Sequence, residues 1–187
     1  NICFISKSAV YLYNMYLQEI RARQAMKELG KGDYTLQIHH ATPITKIDDM
    51  EYSLVFPKVL LEFNDGVEKD IDKLFIGLIT KERKPFLSNF PNAIIVSSDR
   101  GRNIYTKQFD IEYFKNMARS KFTLCPDGEF TWTYRFFEAV IFKSIPIIEN
   151  YTHHYDGYEY YTKSDEFVYD ENMVNSNLEK LKKEMML

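Results

Sequence analysis

Apolar residues recur in two different rhythms along this chain, and the change of rhythm divides it. Over residues 9–29, Tyr11, Leu12, Met15, Ala22, Met26 and Leu29 fall on one stripe at helical spacing, with Glu19 intruding and Gly30 where a C-terminal cap belongs. Residues 2–5 ahead of it read as a short strand. Residues 34–39 read as another, Leu36 and Ile38 alternating with Thr35, Gln37 and His39. Residues 41–50, with Pro43 and the acid pair Asp48-Asp49, read as a loop. Two apolar runs, 52–56 and 59–63, are then broken by Pro57, and Asn64-Asp65-Gly66 is a strong turn signal.

Past residue 73 the rhythm becomes regular. Runs without polar alternation at 74–79, 93–97, 122–125 and 145–148 are separated by helical stretches at 85–90, 110–119 and 133–143. Continuous apolar strands between helices predict a parallel sheet covered on both faces. Residues 166–169 read as a last strand. Ser176 with Glu179 forms a capping-box pattern that opens a terminal helix carrying Leu178, Leu181 and Met185 on one side. The expected organisation is an α/β chain in two parts, 1–70 and 71–187, the first unusually small.

An open parallel sheet keeps its working groups at the carboxyl ends of its strands. The loop over residues 126–132 lies there, and it feeds the start of the 133–143 helix, whose N–H groups and positive dipole end suit a phosphate. Arg135 in the first turn adds a planar two-pronged donor, and Glu138 follows one turn later. Each also has an ordinary use: Thr131 or Thr133 as a cap, Arg135 paired with a surface acid, Glu138 solvated. Two cationic runs, residues 80–84 with Arg83 and 97–102 with Arg102, follow other strands of the same half. In the first half, His39-His40 closes a strand, and Asp48-Asp49 offers carboxylates in a loop; both also fit plain solvated positions.

Composition narrows the picture. Of the 187 residues 45% are hydrophobic and 27% charged, which is globular, and the net charge of −3 argues against a general binder of nucleic acid or membrane surfaces. Any anion site must be built locally. Cys3 and Cys125 form no disulfide framework and point to a reducing compartment. No apolar run approaches the roughly 18–20 residues of a membrane span. The chain opens on Asn1, as a piece of a longer protein would. Fourteen Tyr and 14 Phe give weak support for a sugar site, since such rings line carbohydrate pockets but fill cores more often.

One stretch carries a family signature. Ser120, Phe122, Leu124, Cys125, Pro126, Gly128, Thr133, Arg135, Phe136, Phe137, Glu138, Ala139, Ile145, Pro146, Ile147 and Ile148 stand at the spacing of the donor-binding segment of exostosin-type glycosyltransferases, which this stretch resembles. Thr133 replaces the usual Ser, and Lys143-Ser144 replaces a small-Gly pair ahead of Ile145-Pro146. The resemblance implies a GT-B-like fold of two Rossmann-like halves, residues 1–70 as the acceptor side and 71–187 as the nucleotide-sugar side. It implies transfer of a sugar from a nucleoside-diphosphate sugar to a glycan or other hydroxyl acceptor, with no metal or other cofactor. Gly128, Thr131, Thr133, Tyr134 and Arg135 would hold the diphosphate and Glu138 the ribose, with Arg83 and Arg102 converging on the same charge. His39, Asp48 or Asp49 would supply the base. The expected location is the cytoplasm, or the cytoplasmic face of a membrane within a longer parent protein. A noncatalytic nucleotide- or carbohydrate-binding domain is the alternative.

Overall fold

The structure, a computed structural model, describes residues 7–39, 41–97 and 111–186. The chain divides into two units, Asn1–Val59 with Arg102–Gln108 and Lys182–Leu187, and Leu60–Gly101 with Phe109–Leu181.

In the first unit, helix α1 (Lys7–Glu28) ends where Gly30 takes a φ of +70°, the left-handed turn that its missing side chain permits. Strands β1 (Leu36–Ile38), β2 (Thr45–Ile47) and β3 (Met50–Tyr52) form an antiparallel sheet in chain order. Ala22, Ala25 and Met26 of the helix bury against Ile47 and Val55. Gln18, fully buried, donates through Nε2 to Val55 O at 3.1 Å. The stretch expected to be a loop, 41–50, thus holds β2, a strand too short and too polar to register as an apolar run. Asp48-Asp49 is the two-residue turn of the β2–β3 hairpin, and Asp48 sits at φ +53°. The strand expected over residues 2–5 lies outside the described residues.

The second unit carries the expected parallel sheet. Strands β4 (Ile71–Gly77), β5 (Ile94–Ser97), β6 (Ser120–Cys125), β7 (Ile145–Ile148) and β8 (Tyr161–Thr162) are all parallel, in the order β5-β4-β6-β7-β8. Phe75, Phe122, Leu124, Ile145 and Ile147 bury one face against Phe86 and Leu87 of α2 (Lys84–Leu87) and Val174 of α5 (Glu171–Glu184). Helix α3 (Ile111–Arg119) packs on β4 and β6, and α4 (Tyr134–Ile141) on β6 and β7. Every residue of α4 from Phe136 to Ile141 is buried, so the helix is held by its surroundings and not by propensity.

Two expectations need correction. Residues 166–169 form no strand; Phe167 and Tyr169 cover Phe122 instead, at 5.9 and 6.3 Å between ring centroids, and the last strand is β8. The terminal helix opens at Glu171 and not at Ser176, because Asp170 caps it, its Oδ1 accepting the Asn172 N–H at 2.8 Å. Among the described residues no helix is long and apolar enough to cross a membrane.

The departure at Lys143-Ser144 has a structural form. Lys143 occupies the left-handed position after α4, φ +52°, where glycine is the unstrained choice. Ser144 turns inward to a sealed group of hydroxyls, 2.7 Å from Thr123 Oγ1 and 3.1 Å from Ser120 Oγ. The last carbonyls of the helix are met by Asn64 Nδ2 on Ile141 O at 2.8 Å and Lys69 Nζ on Phe142 O at 2.6 Å. Lys143→Gly should raise the unfolding free energy by about 0.5–1 kcal/mol, the relief of left-handed strain exceeding the added freedom of the unfolded chain. A urea midpoint unchanged or lowered in that variant would contradict it.

Candidate functional site

From β4 the chain runs through α2 to β5 on one side, then returns through α3 to β6 on the other. The direction of winding therefore reverses between β4 and β6, and connections that leave in opposite directions open a crevice at the carboxyl ends of those two strands.

Arg135 fills that crevice. It stands in the first turn of α4, reaches across to β4, donates from Nε to Ile76 O at 3.2 Å and lies with Cζ 4.7 Å from the centre of the Phe75 ring. Its Nη2 rests against the Cα of Gly77, the last residue of β4. Planar guanidinium stacked on an aromatic face is a low-cost way to hold a cation at the edge of a core.

The helix start itself is set by Thr133, extended at φ −136° and ψ 148°. Its N–H donates to the hydroxyl of Tyr155 at 2.8 Å, while its Oγ1, buried, makes no hydrogen bond. Tyr155 stacks on Phe136 at 3.7 Å with an interplanar angle of 9°, and burial pushes its phenol upward from the usual range. Tyr155, within the tyrosine-rich residues 151–161, thus builds the wall behind the helix start.

Arg83 lies on the connection from β4 to α2 and ties two loops together. Its Nε donates to Asp127 O at 3.1 Å and its Nη1 to Leu78 O at 2.9 Å. A Cβ on Gly128 would come 3.3 Å from Arg83 Nη2, so this guanidinium too is seated over a glycine. Beside it, the Asp127 N–H donates to Glu149 Oε2 at 3.0 Å and Asn150 Nδ2 donates to Asp127 Oδ2 at 2.8 Å. Burial, with the Glu149 carboxylate adding, pushes the Asp127 carboxyl upward, and the Asn150 bond opposes this.

Thr131 is exposed on the same loop. Trp132 meets Tyr134 edge-on at 5.0 Å and His154 at 6.2 Å, giving the loop an aromatic border; burial, then His153, lowers the His154 pKa. Glu138 is 2% exposed, and the Tyr113 hydroxyl of α3 donates to its Oε2. Cys125, at the end of β6, is fully buried and its thiol is pushed up to about 12 by burial.

Gly128, Thr133, Tyr134, Arg135 and Arg83 thus meet around two neighbouring strand ends, and Glu138 lies one turn deeper. His39, Asp48 and Asp49 belong to the other unit. His39 is exposed just after β1, and Asp48 Oδ1 accepts the Thr35 N–H at 3.0 Å, which fixes the hairpin turn. Arg102 lies outside the described residues. Among the described residues no group of three or more His, Cys, Asp or Glu side chains is placed to hold a metal ion. Sequence reasoning missed Asp127, Glu149, Tyr113, Tyr155 and Gly77. Only the tyrosine-rich composition of residues 151–161 hinted at one of them.

Residues 91–167, from just ahead of β5 through β8, match the family model described as the RXYLT1 C-terminal domain. No match was found among curated proteins.

Proposed function

We propose that the second unit binds the diphosphate of a nucleoside-diphosphate sugar and that the chain transfers the sugar to a hydroxyl acceptor. The match over residues 91–167 points to a glycosyltransferase-related function at a general level, and the exostosin-like residues of the 120–148 stretch lie inside it. The observation that carries the reading is Arg135, a guanidinium held at the winding reversal of a parallel sheet, beside a helix start whose cap hydroxyl is buried and unpaired. As the glycosidic bond breaks, the leaving diphosphate gains charge, and a fixed cation with oriented N–H groups binds it more tightly in the transition state than before. In this reading the guanidinium takes the part of a metal ion, and no other cofactor is needed.

Glu138 would receive a ribose hydroxyl in place of the Tyr113 hydroxyl it now accepts. The second unit would be the donor half of a GT-B-like pair and the first unit the acceptor side. The described strands of the first unit are antiparallel and so do not themselves form a Rossmann-like sheet. His39, Asp48 and Asp49 remain the candidate bases. Because the Asp48 carboxylate is engaged in the hairpin turn, a noncatalytic nucleotide- or carbohydrate-binding domain stands as the second reading.

Calorimetric titration with inorganic pyrophosphate tests the site. The wild-type chain should bind, and Arg135→Ala should bind at least about tenfold more weakly, the worth of one charge-assisted donor pair. Absence of binding by the wild-type chain, or equal affinity in the two, would remove the assignment. If the chain binds nucleoside-diphosphate sugars yet releases no sugar to water or to any acceptor, the second reading is selected. Loss of transfer with donor affinity retained in H39A, D48N or D49N would identify the base.

A further inference from the structure

We infer that Gly77 is a positioning residue of this site: the bare Cα at the end of β4 is what admits the Arg135 guanidinium to the crevice. The inference rests on the diphosphate reading of that crevice. A Cβ at Gly77 would collide with Arg135 Nη2, stand 3.4 Å from Arg135 Cζ and 3.2 Å from Phe75 Cζ. The backbone bond from Arg135 Nε to Ile76 O and the stacking on Phe75 place the guanidinium directly over this strand end. The colliding atom is the far end of a flexible side chain, so a methyl group at position 77 turns the arginine out. The side chain then loses the carbonyl and the ring that orient it. Gly77 also sits at φ +159°, a conformation that L side chains rarely adopt, so Gly77→Ala carries a backbone cost that the thermal midpoint reads, while the loss of binding comes from the turned-out arginine. No local pattern marks the residue: Gly77 is 58 positions from Arg135 in sequence, and only the adjacency of β4 and β6 brings the two together.

Four chains titrated with inorganic pyrophosphate, each with its thermal midpoint, decide the matter: wild type, Gly77→Ala, Arg135→Ala and the double variant. Gly77→Ala should weaken binding about tenfold, as Arg135→Ala does. In the Arg135→Ala background it should weaken binding no further, since its whole effect passes through the guanidinium. Wild-type affinity in Gly77→Ala alongside loss in Arg135→Ala would overturn the inference and leave the diphosphate site standing. A further loss in the double variant would also overturn it, and no binding by the wild type would remove both. If Gly77→Ala fails to fold, Gly77→Ala/Arg135→Lys is the second test. Lysine has no Nη2 to collide, so this chain should fold and bind as Arg135→Lys alone does; if it too fails to fold, the strand needs glycine for its own sake and the inference is wrong.

Discussion

Phe136→Ala is expected to cost the second unit about 3–5 kcal/mol, a large share of the roughly 5–15 kcal/mol that holds an ordinary domain. The ring is fully buried, stacked on Tyr155 at 3.7 Å and edged by Phe137 at 5.3 Å and Tyr158 at 5.7 Å. Truncation removes transfer energy and leaves a void among rigid aromatic neighbours that cannot close it. Tyr155 loses the face that holds it, and its hydroxyl is the partner of the Thr133 N–H at the helix start. Stability and pyrophosphate affinity should therefore fall together. Phe136→Leu, which fills most of the void, should cost about 1–1.5 kcal/mol and keep the affinity. Urea unfolding measures both variants, and a loss below about 1 kcal/mol for Phe136→Ala would mean the aromatic stack carries little of the fold.

The second large effect is in the pH dependence. Burial, with the Lys143 ammonium adding, pulls Lys69 from 10.5 down to about 7. The folded chain holds that proton less tightly than the unfolded chain, so between pH 7 and 10.5 the unfolded state carries more protons and stability climbs with pH. Cys125 acts in the opposite sense, because burial raises it from 9.0 to about 12, and the upward shift of Tyr155 from 10.0 acts the same way. Above about pH 9 the unfolded chain sheds those protons while the folded one keeps them, and the gain reverses. The unfolding free energy should rise from pH 7 to about 9 and fall beyond, with an amplitude on the order of 2–4 kcal/mol after allowing for partial solvation of Lys69. Lys69→Met should flatten the rising limb and leave the falling one. A rising limb of the same height in that variant would assign it to other groups.

The parallel sheet was legible because a strand buried on both faces writes itself as an unbroken apolar run, as residues 122–125 and 145–148 do. The crevice was legible in part, since a helix that starts after such a strand puts Arg135 at the sheet's carboxyl edge. What failed to show was whatever depends on partners distant in the chain. Arg135 bonds a carbonyl 59 residues away, Tyr113 reaches Glu138 across 25, and Tyr155 meets Thr133 across 22. Strand β2 escaped for a different reason: its three residues hold one apolar side chain, Ile47, beside the half-buried Lys46 and Thr45, a buried polar residue whose hydroxyl accepts from Gln18 Nε2 at 3.3 Å. The terminal helix was displaced because a four-residue capping pattern at Ser176 competes poorly with Asp170, whose carboxylate already serves the first turn.

Cys125 offers a chemical clock for the same region. Its thiol lies at the end of β6, fully enclosed, and stays protonated at any pH where a maleimide works quickly. Alkylation at that sulfur must wait until the strand is undone, so its rate counts openings of the sheet one by one. Ligands that seat on the loop above should slow the count in proportion to their occupancy.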